Sequence, residues 1–188
     1  MLGYSELRKG VRIVYKNQPH EIIEAQAVFK GRGTSVLQVR LRNLITGAIF
    51  PESFRGTDIL EEAELSRMTA KFIFSNKGKY VFSEADNPSK RFELSEDQVG
   101  YIGKFLKSNQ EVEALIFKEE IINISIPIKI TLRVEQAPPG IKGDRAQSGN
   151  KVVILETGAE MSVPLFVQQD DIIEINTEKG EYVRRLAK

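Results

Sequence analysis

The feature that most constrains the fold is a succession of short strand-like runs, separated by turn residues, that continues along the whole chain. The clearest pair is formed by residues 71–74 and 79–82, which flank the turn-forming residues 75–78. Alternation of apolar and polar residues indicates half-buried strands, and a short connection containing glycine indicates a hairpin. The chain is therefore expected to be all-β.

One segment favours a helix instead. Ser95 is followed three residues later by Gln98, which is the spacing of a capping box at the start of a helix. A short helix is expected, because four apolar residues then follow at helical spacing: Val99, Ile102, Phe105 and Leu106.

The strand-like runs fall into three groups within the 188 residues. Several short strands within about 60 residues are typical of a small barrel, SH3-like for the first group and of the OB type for the other two. The acidic stretch 61–64 is interpreted as a boundary or linker, and Pro127 interrupts the alternation where a central strand would not tolerate it. We therefore expect three serial β-barrel domains, at residues 1–64, 65–127 and 128–188.

The composition excludes most kinds of catalysis. There is no cysteine, so disulfides, thiolate metal sites and thiol nucleophiles are excluded. The single histidine, His20, lies in a strand-like run and is expected to be structural. No pair of carboxylates has a recognisable catalytic spacing. We expect a protein that is not an enzyme and that needs no metal or cofactor.

No stretch of the sequence is suited to a membrane. None approaches the roughly 18 apolar residues that a spanning helix needs, and the amino terminus lacks the apolar run of a signal peptide. We expect a cytoplasmic protein with no membrane partner.

Positive charge is concentrated near the start of the chain. Up to Arg55 there are nine Lys and Arg residues against four Asp and Glu, although the net charge of the whole chain is +1. Within this region Arg32 stands between Gly31 and Gly33, with strand-like runs on both sides, so it is expected to project from a hairpin tip. The pattern favours contact with a polyanion. A solvated turn on a charged surface remains the alternative.

Two features near the carboxyl terminus also suggest nucleic-acid contacts. The loop 137–151 is long, glycine-rich and carries three basic residues, but it lacks the spacing of a nucleotide-hydrolysing P-loop. Tyr182 lies beside Arg184 and Arg185, where an aromatic ring and two cations could contact RNA. A flexible linker in the first case and an ordinary final strand in the second remain open.

Six motifs occur in order over nearly the full length, and together they resemble bacterial translation elongation factor P. They are SELRKG at 5–10, GRG at 31–33, VRLRNLITG at 39–47, PGIKGD at 139–144, ETGAEMSVPLFV at 156–167 and GEYVRR at 180–185. The resemblance implies an SH3-like or KOW-like first domain and two OB-fold domains, arranged as an elongated L.

The resemblance also implies a function. Members of this family bind both subunits of the ribosome beside the peptidyl-tRNA, as monomers, and promote peptide-bond formation where consecutive prolines stall it. By this resemblance Arg32 contacts the peptidyl-tRNA and is the site of modification. The other residues implied are the remainder of the tip (Lys30, Gly31, Gly33), a loop near the mRNA of the exit site (Gly143, Asp144, Arg145, Ala146), and further RNA contacts (Arg40, Arg42, Tyr182, Arg185).

The chain departs from the family pattern at the tip. Lys30 stands where the family usually has proline, which adds a second cation and removes a rigid residue. Arg32 excludes the modifications directed at lysine and is compatible with an arginine-modifying glycosyltransferase, whereas an unmodified arginine stays open. Asp170 also replaces a turn glycine. A divergent paralogue and a general single-stranded nucleic-acid-binding OB-fold protein remain as alternatives.

Overall fold

The chain folds into three five-stranded antiparallel sheets that follow one another in sequence. The computed structural model describes residues 1–28, 36–138 and 149–186. The tip residues Lys30–Gly33 and the loop residues Gly143–Ala146 lie outside these ranges. The expectation of an all-β chain is confirmed, and the described helical structure is limited to short turns.

The first sheet has the strand order β4-β3-β2-β1-β5. Its strands are β1 (Arg12–Tyr15), β2 (Gln18–Val28), β3 (Val36–Asn43), β4 (Ile49–Arg55) and β5 (Glu61–Glu62). Lys16 and Asn17 join β1 to β2 with φ angles of 49° and 64°, which gives the twist that suits a tight hairpin. Ile13, Ile22 and Leu41 are fully buried beneath the sheet.

The acidic stretch 61–64, interpreted as a boundary or linker, is not a free linker, although the first sheet ends at Glu62 and the second begins at Leu65. Glu61 and Glu62 pair with Val14 and Ile13 of β1, so they form the fifth strand of the first sheet. Their side chains are exposed, while Ala63 is buried against Phe117. An exposed edge strand carries charged side chains at little cost, and for this reason the acidic composition resembled a linker.

The second sheet has the strand order β10-β9-β6-β7-β8. Its strands are β6 (Leu65–Asn76), β7 (Lys79–Glu84), β8 (Arg91–Ser95), β9 (Glu111–Phe117) and β10 (Glu120–Ser125). The hairpin predicted around residues 75–78 is confirmed, with Lys77 and Gly78 at positive φ. β6 is longer than its apolar run because it pairs with β7 at one end and with β9 along the other.

The capping box is confirmed, but the helix that it begins is a single turn. The Ser95 side chain accepts a hydrogen bond from the Gln98 amide at the start of α1 (Glu96–Val99). Gly100 then has a φ of 62°, and a 3₁₀ segment (Gly100–Phe105) follows. Val99, Ile102 and Leu106 pack in the second core, whereas Phe105 points into the third.

The third sheet has the strand order β13-β12-β11-β14-β15. Its strands are β11 (Lys129–Gln136), β12 (Asn150–Leu155), β13 (Glu160–Pro164), β14 (Ile172–Asn176) and β15 (Glu181–Arg185). The first and last strands in this order, β13 and β15, also lie close together, so the sheet curls towards a closed barrel. Val134, Val153, Val163 and Ile173 are fully buried inside it.

The first and second sheets are joined by apolar packing and by one side-chain amide. Phe117 and Ile122 of the second sheet form a buried cluster with Ala63, against which Leu44 of the first sheet packs. Asn123 Nδ2 donates to the carbonyl oxygens of Leu44 (3.2 Å) and of Ile45, its neighbour in the loop after β3 (3.4 Å).

The second and third sheets share a core residue. Phe105, which belongs to the 3₁₀ segment of the second sheet, has an exposed fraction of 0% and lies in the core of the third. The Tyr101 ring meets Phe105 edge-on, with centroids 5.4 Å apart, and presses against the Cα side of Gly180. With a φ of 66°, Gly180 satisfies both requirements for glycine: a left-handed backbone and no Cβ.

A half-buried carboxylate strengthens the same junction. Glu156 Oε1 accepts hydrogen bonds from Lys107 Nζ (2.9 Å) and from the Arg133 amide (2.8 Å). Burial acts to raise the pKa of Glu156, but these two hydrogen bonds and the charges of Lys107 and Arg133 outweigh it and lower the pKa. Glu156 therefore stays ionised across the junction.

Within the described ranges, no helix is long and apolar enough to cross a membrane.

Candidate nucleic-acid interface

The hairpin that leads to the predicted tip is well defined up to the last described residues. β2 and β3 are paired antiparallel through Val28 and Val36, on either side of residues 29–35. The predicted tip residues lie within that connection and outside the described residues. What the structure establishes is a long two-stranded support for them, in which alternate side chains of β3 pack into the first core while residues 24–27 of β2 are exposed.

β3 places two of the predicted RNA-binding residues on one face. Leu37, Val39 and Leu41 are buried, so Arg40 and Arg42 project from the opposite face. Arg40 Nη1 is 3.1 Å from Glu24 Oε1 on the neighbouring strand, and both side chains are more than half exposed. An exposed pair of this kind contributes little to stability, so a phosphate can replace Glu24 as the partner of Arg40.

Arg42 lies at the junction of the first and second sheets. A cavity of about 240 Å³ opens there, lined by Arg42 and Arg12 from the first sheet and by Arg67 from the second. Glu21 and Glu113 also line it, and Glu113 Oε2 is 2.9 Å from Arg67 Nη1. The positive charge at this junction is therefore partly balanced by carboxylates.

The loop after β3 is held by a buried amide that sequence reasoning missed. Asn43 Oδ1 accepts hydrogen bonds from the amides of Ile45 (2.8 Å) and Thr46 (3.1 Å), which forms an Asx turn. Asn43 Nδ2 donates to Gln18 Oε1 (2.6 Å) and faces His20 Nε2 (3.3 Å). The sequence NLITG contained the indication, since Asn followed by a glycine four residues later is typical of such a loop.

His20 is structural, as expected, and its tautomer follows from its neighbours. It is 2% exposed, and its Nδ1 lies 2.9 Å from the Gln18 carbonyl oxygen, so Nδ1 must carry the proton. Nε2 is then the acceptor that faces the Asn43 amide. Burial lowers the pKa of His20, the charge of Lys16 lowers it further, and the Gln18 carbonyl opposes both effects only in part.

The free energy of unfolding is expected to fall as the pH is lowered below about 6.5, the pKa of an unfolded histidine. Between that value and the lower pKa of folded His20, the unfolded chain binds more protons. The stabilisation is thus complete above about 6.5 and is lost as the pH falls towards the folded pKa. Denaturant titrations at a series of pH values measure it.

The control for this prediction is His20→Gln, which is expected to remove the pH-dependent step near 6.5. Because the chain has one histidine, its imidazole proton resonances give the pKa of His20 directly by NMR. A folded-state pKa at or above about 6.5 would contradict the assignment.

A β-bulge brings Tyr182 and Arg185 to the same face of β15. Tyr182 pairs with Ile175 and Arg185 with Ile173, and the register shifts between these pairs. Residues three apart in a regular strand would point to opposite faces, so the extra residue of the bulge is what aligns them. Tyr182 is half-buried against the third core.

Arg185 has two partners within the chain. Its Nη1 lies 3.4 Å from Oδ2 of Asp171, which is fully buried, and its guanidinium lies over the Phe166 ring, 5.3 Å from the centroid. Sequence reasoning missed both partners. Asp170, next to Asp171, has a φ of 67°, so the aspartate keeps the left-handed turn that glycine would usually supply.

The predicted loop contacts Gly143, Asp144, Arg145 and Ala146 lie outside the described residues. The structure does place the ends of that loop. Lys151 Nζ donates to the Pro138 carbonyl oxygen (2.9 Å), and the Leu165 amide donates to the Gly149 carbonyl oxygen (3.3 Å). Both ends are thus anchored to the third sheet, next to the β13 strand.

The described residues hold no group of three or more His, Cys, Asp or Glu side chains that could bind a metal ion. The predicted RNA-binding arginines lie on the first sheet (Arg40, Arg42) and on the third (Arg185). Each group is in the same sheet as one of the two connections whose ends are held by hydrogen bonds or strand pairing. Such a surface can bind phosphates and position a polymer.

Two family models match the chain. The one described as Elongation factor P (EF-P) KOW-like domain matches residues 4–60, and the one described as Elongation factor P, C-terminal, matches residues 130–185. The first match agrees with the SH3-like or KOW-like fold expected of the first domain.

Curated relatives match over the full length. Proteins named Elongation factor P from Syntrophus aciditrophicus and Desulfotalea psychrophila are 36% and 35% identical, each over 99% of this chain and 99% of the relative. A solved structure of eukaryotic translation initiation factor 5A from Methanococcus jannaschii has a TM-score of 0.50 at 14% identity, covering 66% of this chain and 92% of that one. That likeness supports the fold alone. With both family models and full-length relatives in agreement, the chain belongs to the elongation factor P family of translation factors.

Proposed function

We propose that this protein binds the ribosome beside the peptidyl-tRNA and promotes peptide-bond formation where consecutive prolines stall it. The observation that carries the proposal is the β2–β3 hairpin, paired up to Val28 and Val36, which supports the connection containing Arg32. Arg32 is the residue proposed to contact the peptidyl-tRNA, with Lys30, Gly31 and Gly33 completing the tip. The protein acts in the cytoplasm as a monomer.

The chemical contribution proposed for the tip is orientation. Proline is a poor nucleophile with a constrained ring, so a misplaced peptidyl-tRNA loses much of its effective concentration. Holding its end in a near-attack geometry lowers the barrier without any acid–base step. A guanidinium suits this role because its planar donors bind phosphate in a defined geometry.

The other proposed RNA contacts follow from this placement. Arg40 and Arg42 share the outer face of β3, which continues directly from the tip. Gly143, Asp144, Arg145 and Ala146 are proposed to approach the mRNA at the exit site, with Tyr182 and Arg185 also contacting RNA. The two packed junctions between the three sheets support the proposal that one molecule reaches both regions of RNA.

The test is the rate of synthesis of a reporter with three consecutive prolines, in a reconstituted translation system. Wild-type protein is expected to raise the rate, and Arg32→Ala to return it to the value without the protein. Arg32→Lys is expected to retain part of the effect, since the charge stays and the planar donors are lost. An Arg32→Ala variant as active as the wild type would exclude the proposed role.

Two controls make this test specific. Lys9→Ala removes one positive charge from an exposed turn of the same domain and is expected to leave the rate unchanged. The intact mass of the native protein, measured beforehand, shows whether Arg32 carries a sugar from an arginine-modifying glycosyltransferase, so that modified and unmodified protein are assayed separately.

A further inference from the structure

Phe166 is an exposed aromatic ring that the fold does not use for its core. It is 56% exposed, whereas the next residue, Val167, is fully buried. Phe166 lies just after β13 (Glu160–Pro164). The amide of the preceding residue, Leu165, donates a hydrogen bond to the carbonyl oxygen of Gly149, the first described residue after the basic loop.

One face of this ring is covered by a cation that is itself held in place. The Arg185 guanidinium lies 5.3 Å from the Phe166 centroid and 3.4 Å from the buried Asp171 carboxylate. Asp171 Oδ2 also accepts a hydrogen bond from the Gln168 amide (2.8 Å), which fixes the carboxylate. The arginine is thus positioned by a buried group, and the ring is positioned beside it.

The neighbouring cation, Arg184, belongs to the opposite face. It pairs with Glu174, with Nη2 3.0 Å from Oε2. Arg184 and Arg185 are consecutive residues in the regularly paired part of β15, so their side chains point to opposite faces. Phe166 and Arg185 therefore form a discrete pair, which we call the Phe166–Arg185 platform. Its chemistry is that of an aromatic ring with a guanidinium over one face and with more than half of the Phe166 surface exposed to solvent.

We propose that the Phe166–Arg185 platform is a stacking site for one unpaired base of single-stranded RNA. Bases that have left a helix stack on aromatic side chains and on arginine planes, and a cation beside the ring favours the adjoining phosphate. The proposal rests on the proposed function, since it names the ligand class taken next to the loop assigned to the exit-site mRNA. A protein partner is the competing occupant and would not require a base.

The absence of tryptophan from the chain gives a direct test. In Phe166→Trp, the introduced indole is the only tryptophan, and stacking of a base on it is expected to quench its fluorescence. The probe is a short oligoadenylate, and the matched ligand is an abasic oligonucleotide of the same length and charge. Quenching by oligoadenylate and not by the abasic strand supports the proposal. Equal quenching by both, or by neither, overturns it.

A second variant controls for position. Phe74 is another exposed phenylalanine, on the second sheet, and Phe74→Trp is expected to show no response to either oligonucleotide. If Phe74→Trp is quenched as strongly as Phe166→Trp, binding is not confined to the platform and the proposal fails.

Affinity supplies an independent measurement. Phe166→Leu keeps an apolar side chain but removes the aromatic face, and it is expected to weaken oligoadenylate binding about fivefold or more, with the abasic strand unaffected. Unchanged affinity would overturn the proposal. These measurements contain no ribosome and so are independent of the proline reporter. If they fail while Arg32→Ala still abolishes stimulation of the reporter, only the stacking proposal is wrong. If oligoadenylate quenches Phe166→Trp but the wild-type protein does not stimulate the proline reporter, only the proposed function is wrong.

Discussion

Replacing Phe105 by alanine is expected to lower the free energy of unfolding by about 3–5 kcal/mol. The side chain is fully buried in the third core, although its backbone belongs to the 3₁₀ segment of the second sheet. Its removal leaves a cavity and also takes away the ring against which Tyr101 packs edge-on. Chemical denaturation followed by circular dichroism measures the loss. Phe74→Ala, at an exposed site, is the control and is expected to cost less than about 0.5 kcal/mol.

The part of the protein that loses protection from hydrogen exchange distinguishes a cavity in the third core from a general loss of buried apolar area. Amide hydrogen exchange in Phe105→Ala is expected to accelerate in β11, β12 and β14, whose side chains surround the ring. If protection fell only in the second sheet, where the residue lies in sequence, the assignment of Phe105 to the third core would be wrong.

Replacing Asn43 by alanine is expected to lower the free energy of unfolding by about 2–3 kcal/mol. The substitution leaves the amides of Ile45 and Thr46 without their acceptor and His20 Nε2 without its donor. Each buried polar group left without a partner costs about 1–3 kcal/mol, and exposed parts of the loop recover some of this through water. Denaturant titration at neutral pH is the measurement, and a loss below about 0.5 kcal/mol would contradict it.

Asn43→Asp is the informative companion. It keeps an acceptor for the loop amides but places a carboxylate oxygen opposite His20 Nε2, where the wild type has an N–H donor. Protonation of the ring then becomes favourable, so the pKa of His20 is expected to rise above its wild-type value. The NMR titration of the single histidine reports this change, which a merely loosened loop would not produce.

Local sequence patterns predicted the elements whose causes are local. The hairpin at residues 75–78 and the capping box at Ser95 depend on residues within a few positions of each other, and both were confirmed. Such patterns specify backbone geometry directly, so no knowledge of distant contacts was needed.

The misses have non-local causes. Phe105 has the spacing of a helix face, but Gly100 at positive φ ends the helix and the ring enters a core formed by residues further along the chain. The partners of Arg185 were likewise not predictable. Asp171 and Phe166 come near it only because β15 pairs with β14 through a bulge. The sequence alone contained no indication of that extra residue.

The position of Phe105 also has a consequence for how the chain folds as it is synthesised. The strands of the second sheet are all synthesised before those of the third, whose side chains form the buried cluster that contains Phe105. Until β11–β14 have been synthesised, the Phe105 ring is therefore exposed to solvent. The last stage of folding then buries a residue that the earlier stage left exposed. The second and third sheets, which share a core residue in this way, gain cooperativity, and we expect them to unfold in one transition.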